Sequence, residues 1–208
     1  MSHENQHEYA HEEASSRERT EPARPRIYVA SLSDYNAGIL HGTWLDATDE
    51  PEDLQTGISE MLALSPSARR YGEVTEEWTI HDYEGFSRHV QLGEYELLER
   101  VAALARGIVG HGEAFAAWWA SEQPEETDDD DLEASFEEHY LGEYSSVEEY
   151  GEQMLQEMGI EVDELPGVPE GLRPYVRVDV EAWTRDLQYG GEITTIESES
   201  GVYVFWCV

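Results

Sequence analysis

Arg26–Asp46 reads RIYVASLSDYNAGILHGTWLD. Both ends are rich in β-branched and aromatic residues, and the middle, Ser33–Gly38, is turn chemistry. The stretch predicts two strands, Arg26–Leu32 and Ile39–Asp46, paired as a hairpin or near-hairpin. Downstream, Asp49 and Pro51 open a helix in which Leu54, Ile58, Met61 and Leu62 fall at helical spacing. In Glu73–Gly85 (EVTEEWTIHDYEG), Val74, Glu76, Trp78 and Ile80 alternate with Glu73, Thr75, Glu77 and Thr79. That alternation predicts a third strand with acid on its exposed face. A β-β-α-β unit therefore covers residues 26–90, and the fold class is α+β.

Upstream, residues 1–25 are polar and end in Pro22, Arg24 and Pro25, a composition that predicts a disordered tail. Residues 91–125 predict a small helical middle. Leu92, Tyr95, Leu98, Val101, Ala102 and Ala105 form an apolar stripe, Gly107, Gly110 and Gly112 interrupt it, and Phe115, Trp118 and Trp119 follow on a short helix. Gln123–Thr127 (QPEET) reads as a linker. Residues 126–208 predict an acidic α+β unit. Its first helix is DLEASFEEHYLG, opened by Asp128–Asp131, because acids suit a helix N-terminus. Ser145 or Ser146 caps a second, VEEYGEQMLQEMG, with Glu148 or Glu149 completing a capping box. Val176–Gly190 reads as a third, and ITTIESESGVYVFWCV closes the chain as a β-hairpin around Glu199–Gly201. There is no internal repeat.

Charge is the extreme property of this 208-residue chain. It has 47 acidic and 12 basic residues, a formal net charge of -35, and all 12 basic residues are Arg. Such a surface repels nucleic acid and anionic membranes, so its partner is a basic surface or a cation. A halophilic or simply very soluble protein is the competing reading, and it too would lack Lys. From Gly107 to Leu172 there is no Lys or Arg and there are 20 acids. The candidate partner-binding carboxylates lie here: Glu125, Glu126, Asp128, Asp129, Asp130, Asp131, Glu133, Glu137, Glu138, Glu143, Glu148, Glu149 and Glu152. Several fall at i, i+3 and i+4 steps among Phe136, Tyr140, Tyr144 and Tyr150. Like charges at those steps cost a helix a few tenths of a kcal/mol per pair, so keeping them implies a use for the field. B-DNA carries one charge per roughly 1.7 Å, so -35 corresponds to at most about 60 Å of duplex per chain, or about 120 Å per dimer.

Catalytic patterns are weak. His7-Glu8-Tyr9-Ala10-His11 matches H-E-x-x-H, but it sits in a polar tail without a core or a third ligand. Asp128–Asp131 lacks the glycine and spaced oxygens of an EF-hand loop. The chain contains no G-x-S-x-G, Walker A or G-x-G-x-x-G pattern. No enzyme activity, metal or cofactor is expected. A single cysteine, Cys207, excludes an internal disulfide and suits a reducing compartment. With no visible secretory signal and no apolar run of membrane-spanning length, the expected location is the cytoplasm.

Several long segments resemble the ArdA family of antirestriction proteins, in family order from about Arg26 to the C-terminus. They are IYVASLSDYNAGILHGTWLD, WTIHDYEGF, GEYELLERVAALARGI, HGEAFAAW, FEEHYLGEYSSVEEY, YVRVDVEAWTRDL and GVYVFW. The resemblance implies an elongated, curved protein of three small domains that dimerises and mimics bent B-form DNA. It implies binding in the DNA groove of type I restriction-modification enzymes, at the methyltransferase core, and protection of incoming mobile DNA. Phe136–Tyr150 resembles the family's acidic antirestriction motif. By that resemblance Glu137, Glu138, Glu143, Glu148 and Glu149 are phosphate mimics, whereas Phe136, Tyr140 and Tyr144 serve packing or dimer contacts.

Overall fold

A computed structural model describes residues 24–72, 76–122, 129–159 and 167–207. Among them are two three-stranded antiparallel sheets, each backed by helices. The predicted α+β class is what the chain adopts.

The first sheet has the order β2-β1-β3, from β1 (Arg26–Ser31), β2 (Gly42–Asp46) and β3 (Trp78–Glu84). Ile27, Val29 and Ile80 pack against Leu54, Ile58 and Met61 of α2 (Pro51–Ala63) and against Val101, Ala102 and Ala105 of α4 (Leu98–His111). Burial of each large aliphatic side chain contributes about 1.5–3 kcal/mol. A bulge in β1–β3 pairing lets Ile80 and Tyr83, three residues apart, both reach this core.

Four local expectations for this half are corrected. Ser33–Gly38 is not a plain turn: Leu32–Asn36 forms helix α1, capped by Ser31 Oγ, which accepts the Asp34 N–H. That helix delays β2, which begins at Gly42 and leaves Leu40 85% exposed. Glu50 rather than Asp49 occupies the N-cap of α2. Thr79, expected on the exposed face of β3, is buried where α1 packs on the sheet. A further helix, α3 (Pro66–Tyr71), was not anticipated. Val74 and the rest of 73–75 lie outside the described residues.

The central stripe begins later than its periodicity suggests. Glu94 offers its carbonyl to the Ile80 N–H at the edge of β3, so residues 92–94 follow the strand and α4 starts only at Leu98. Tyr95 is consequently 74% exposed. Nor do Gly107 and Gly110 interrupt α4, which ends at Gly112 with φ 67°. Gly107 has a packing reason: a Cβ there would lie 2.3 Å from the Phe115 ring of α5 (Glu113–Glu122).

The largest correction concerns DLEASFEEHYLG. Its helix, α6, covers only Leu132–His139, after a 3-10 turn at Asp129–Asp131. Tyr140–Tyr144 is a strand, β4. It pairs with β6 (Val202–Trp206), the central strand of the second sheet, whose order is β4-β6-β5 with β5 at Ile193–Glu197. The expected terminal hairpin is thus present as β5–β6. Tyr203 and Phe205 of β6 face α4, α5 and α6. Val202 and Val204 face the opposite way, toward α7 (Val147–Glu157) and α8 (Val180–Gly190). The last helix is shorter than predicted, because Asp179 caps it by accepting the Ala182 N–H and Val176 stays extended.

Candidate functional site

Seven of the candidate carboxylates, Glu133, Glu137, Glu138, Glu143, Glu148, Glu149 and Glu152, sit on three consecutive elements, α6, β4 and α7, around the second sheet. Each element is fixed by its inward face. On α6, Leu132 and Phe136 point into the core. The Phe136 ring, 1% exposed, lies 4.9–6.2 Å from those of Phe115, Trp118, Tyr140 and Phe205. That anchoring turns Glu133, Glu137 and Glu138 to solvent. Glu133 and Glu137 are one turn apart, about 6 Å along the axis.

On α7 the inward residues are Tyr150 and Gly151. A Cβ at Gly151 would meet Thr184 of α8 at 2.4 Å, so the two helices lie close together. Glu149 and Glu152 consequently project outward, with Glu148 partly exposed. Tyr144 of β4 packs edge-on against Tyr150, 5.3 Å between centroids.

How these carboxylates are held is the informative feature. Glu143 accepts a hydrogen bond from Ser200 Oγ at 2.5 Å. The hydroxyls of Ser198 and Ser200 hold its carboxyl below the usual Glu range, against a small effect of burial. Glu149 accepts both the hydroxyl and the backbone N–H of Ser145, each at 2.7 Å, and these likewise lower its pKa. The capping box is thereby resolved: Ser146 Oγ accepts the Glu149 N–H while Glu149 reaches back one residue further, to Ser145. Glu148 is lowered as well, chiefly by the Ser146 hydroxyl. A hydroxyl or backbone N–H donor fixes a carboxylate without cancelling its charge. Glu143 and Glu149 are therefore held in place, and all three carboxylates favour the charged form.

Cationic partners are few here. Arg100 Nη1 lies 3.4 Å from Asp129, which is half-buried, and His111 Nε2 lies 3.8 Å from Glu137. Among the described residues, Asp131, Glu133, Glu138 and Glu152 are exposed with no cation at ion-pair distance. Asp130 lies in the 3-10 turn. Glu125, Glu126 and Asp128 lie outside the described residues, as do His7, Glu8 and His11.

The second sheet also brings in acids that sequence reasoning did not single out. The Tyr203 hydroxyl is pushed up in pKa by burial first, then by the charges of Glu143, Glu113 and Glu199. Glu113 opens α5 and accepts the Ser87 hydroxyl at 2.5 Å. No local pattern joins these three, because they come from distant segments that meet only through β6. Among the described residues no group of three or more His, Cys, Asp or Glu side chains could hold a metal ion, and no helix is long and apolar enough to cross a membrane.

Comparison with known families gives a match over residues 27–202 to the family described as antirestriction protein (ArdA). No curated protein matches the chain.

Proposed function

Since this chain belongs to the ArdA family of antirestriction proteins, we propose that it counters restriction by DNA mimicry, its carboxylate surface occupying the DNA-binding groove of a type I restriction-modification enzyme. The observation that carries this reading is the pair of hydroxyl-held carboxylates Glu143 on β4 and Glu149 on α7, beside exposed carboxylates on α6 and α7. A DNA-binding groove gains affinity from phosphates held at set intervals, with counterions released on contact. Glu143 and Glu149 offer the same kind of target, anions with restricted position, and with Glu148 they share a pKa lowered toward persistent charge. Glu133, Glu138 and Glu152 extend it with exposed carboxylates that have no cation at ion-pair distance among the described residues.

No chemical step is required of the inhibitor. Its action is competitive, it needs no cofactor, and it takes place in the cytoplasm, where incoming mobile DNA meets the enzyme. A homodimer would double the length of duplex imitated. The methyltransferase core is the proposed binding partner. Mutual exclusion tests this. Mixed with a type I methyltransferase core and its target duplex, the chain should give either of two binary complexes by size-exclusion chromatography with light scattering. A stable ternary complex of enzyme, duplex and inhibitor would sink the idea.

A further inference from the structure

The turn of the terminal hairpin, Ser198–Gly201, reaches across to the junction of β4 and α7. Gly201 is what allows this approach. A Cβ at that position would lie 2.0 Å from the Tyr144 carbonyl oxygen and 2.6 Å from the Ser145 Cα. The turn is itself ordered by Ser198. Its N–H donates to the Gly201 carbonyl at 2.9 Å. Its Oγ accepts the N–H groups of Ser200 at 3.2 Å and Gly201 at 2.9 Å. With Oγ accepting two N–H groups, the Ser198 hydroxyl proton is left to donate, and together with the Ser200 hydroxyl it lowers the pKa of Glu143. On the far side of the same junction, Ser145 holds Glu149.

We propose that Ser198, Ser200 and Gly201 are positioning residues for Glu143, holding its carboxylate at a fixed place on the partner-binding surface. This rests on the DNA-groove reading above and deepens it. A glutamate on a strand at the sheet edge would otherwise lose rotamer freedom on binding, and two hydroxyl donors remove that cost beforehand. Arginine could anchor Glu143 equally well but would cancel the charge the partner reads. The serines are therefore more than turn formers, and the hairpin that closes the fold also tunes the surface. Glu199, carried on the same turn, adds a charge beside Tyr203.

The test uses the full chain and a type I methyltransferase core with a labelled duplex as competitor. S198A/S200A should weaken inhibitor affinity roughly three- to tenfold. Its binding should also be lost at a higher pH on acidification than that of the parent chain, because Glu143 returns toward the ordinary carboxylate range. Ser200→Thr, which keeps the donor, should bind as the parent does. In an E143Q background the serine substitutions should cause no further loss, and thermal melting should show all variants folded. Equal losses in the parent and E143Q backgrounds would overturn the inference. So would an unchanged affinity and pH profile for S198A/S200A when E143Q itself weakens binding. If E143Q, E133Q and E138Q all leave competition untouched, the DNA-groove reading falls and this inference falls with it.

Discussion

The two sheets are built alike, each three-stranded, antiparallel and backed by helices, yet several of their surface acids are held by different partners. Around β2-β1-β3 the acids meet arginines: Arg24 with Asp46 at 3.8 Å, Arg26 with Glu84, and Arg106 of α4 with Glu50 at 3.6 Å. Around β4-β6-β5 they meet serine hydroxyls instead: Ser198 and Ser200 with Glu143, and Ser145 with Glu149. Exposed ion pairs contribute only about 0–1 kcal/mol, so the arginines do little for stability but locally cancel the field. Hydroxyls order a carboxylate and leave the field intact. Three acids of the first half are thus ion-paired, whereas Glu143 and Glu149 of the second are held by hydroxyls that leave their charge intact.

A set of variants would break or sharpen this contrast, from the largest effect to the smallest. Phe136→Ala removes the ring that anchors α6 beneath its acids and should destabilise the chain by about 3–5 kcal/mol in urea unfolding. A loss under about 1 kcal/mol would mean that the acidic half is not built on this core. In the other half, Asp34 is buried. Burial opposes its ionisation, but the surrounding serines Ser65, Ser67 and Ser31, with the Ser67 N–H donating to the carboxylate at 2.8 Å, outweigh that and hold its pKa far below the usual range. It ties α1 to the N-terminus of α3, so Asp34→Ala should cost about 1–3 kcal/mol. Because its folded pKa is depressed, this stabilisation is present above the ordinary Asp pKa of about 3.9 and fades as pH falls below it. Stability followed by circular dichroism should therefore drop less steeply in acid for Asp34→Asn than for the parent chain.

The next change is in binding. E133Q/E138Q/E152Q should reduce affinity for a type I methyltransferase core about tenfold at low salt, taking about 0.5 kcal/mol per exposed charge pair. The matched control, D46N/E84Q at two ion-paired acids of the first half, should change it less than about twofold, the smallest effect of the set. Equal losses from the two sets would erase the distinction between the halves and favour a nonspecific charge effect.

Much of the scaffold was legible because its signals are local. The strand Arg26–Ser31, helix α2, helix α7 behind Ser146 and the β5–β6 hairpin follow from periodicity and caps. Helix α3 also carried its marks, Ser65 and Pro66 at its start and Gly72 in the left-handed region at its end, but it is only 6 residues long. Strand β4 was hidden for a physical reason. Phe136, Tyr140 and Tyr144 recur every four residues and imitate a helical stripe, while the pairing that decides the matter comes from Val202–Phe205, far along the chain. Gly142, with φ 134°, sits at the irregularity in the β4–β6 pairing, where the backbone favours glycine. The carboxylates of α6 and α7 were readable as a base-free acidic stretch. The serine donors to Glu143 were not, since they lie 55 and 57 residues away (198 − 143 and 200 − 143) and meet it only once β4 has paired with β6. The acids were visible in sequence; the means of holding them required the fold.

The central claim is that fixed, un-neutralised carboxylates take the place of DNA phosphates. Its most direct test is displacement of a labelled duplex from a type I methyltransferase core by the purified chain, followed by fluorescence anisotropy as salt is raised. The account predicts full displacement at low salt, with inhibitor affinity falling as a steep linear function of log salt concentration, as groove–phosphate binding does. Duplex that stays bound under excess inhibitor at low salt would contradict it.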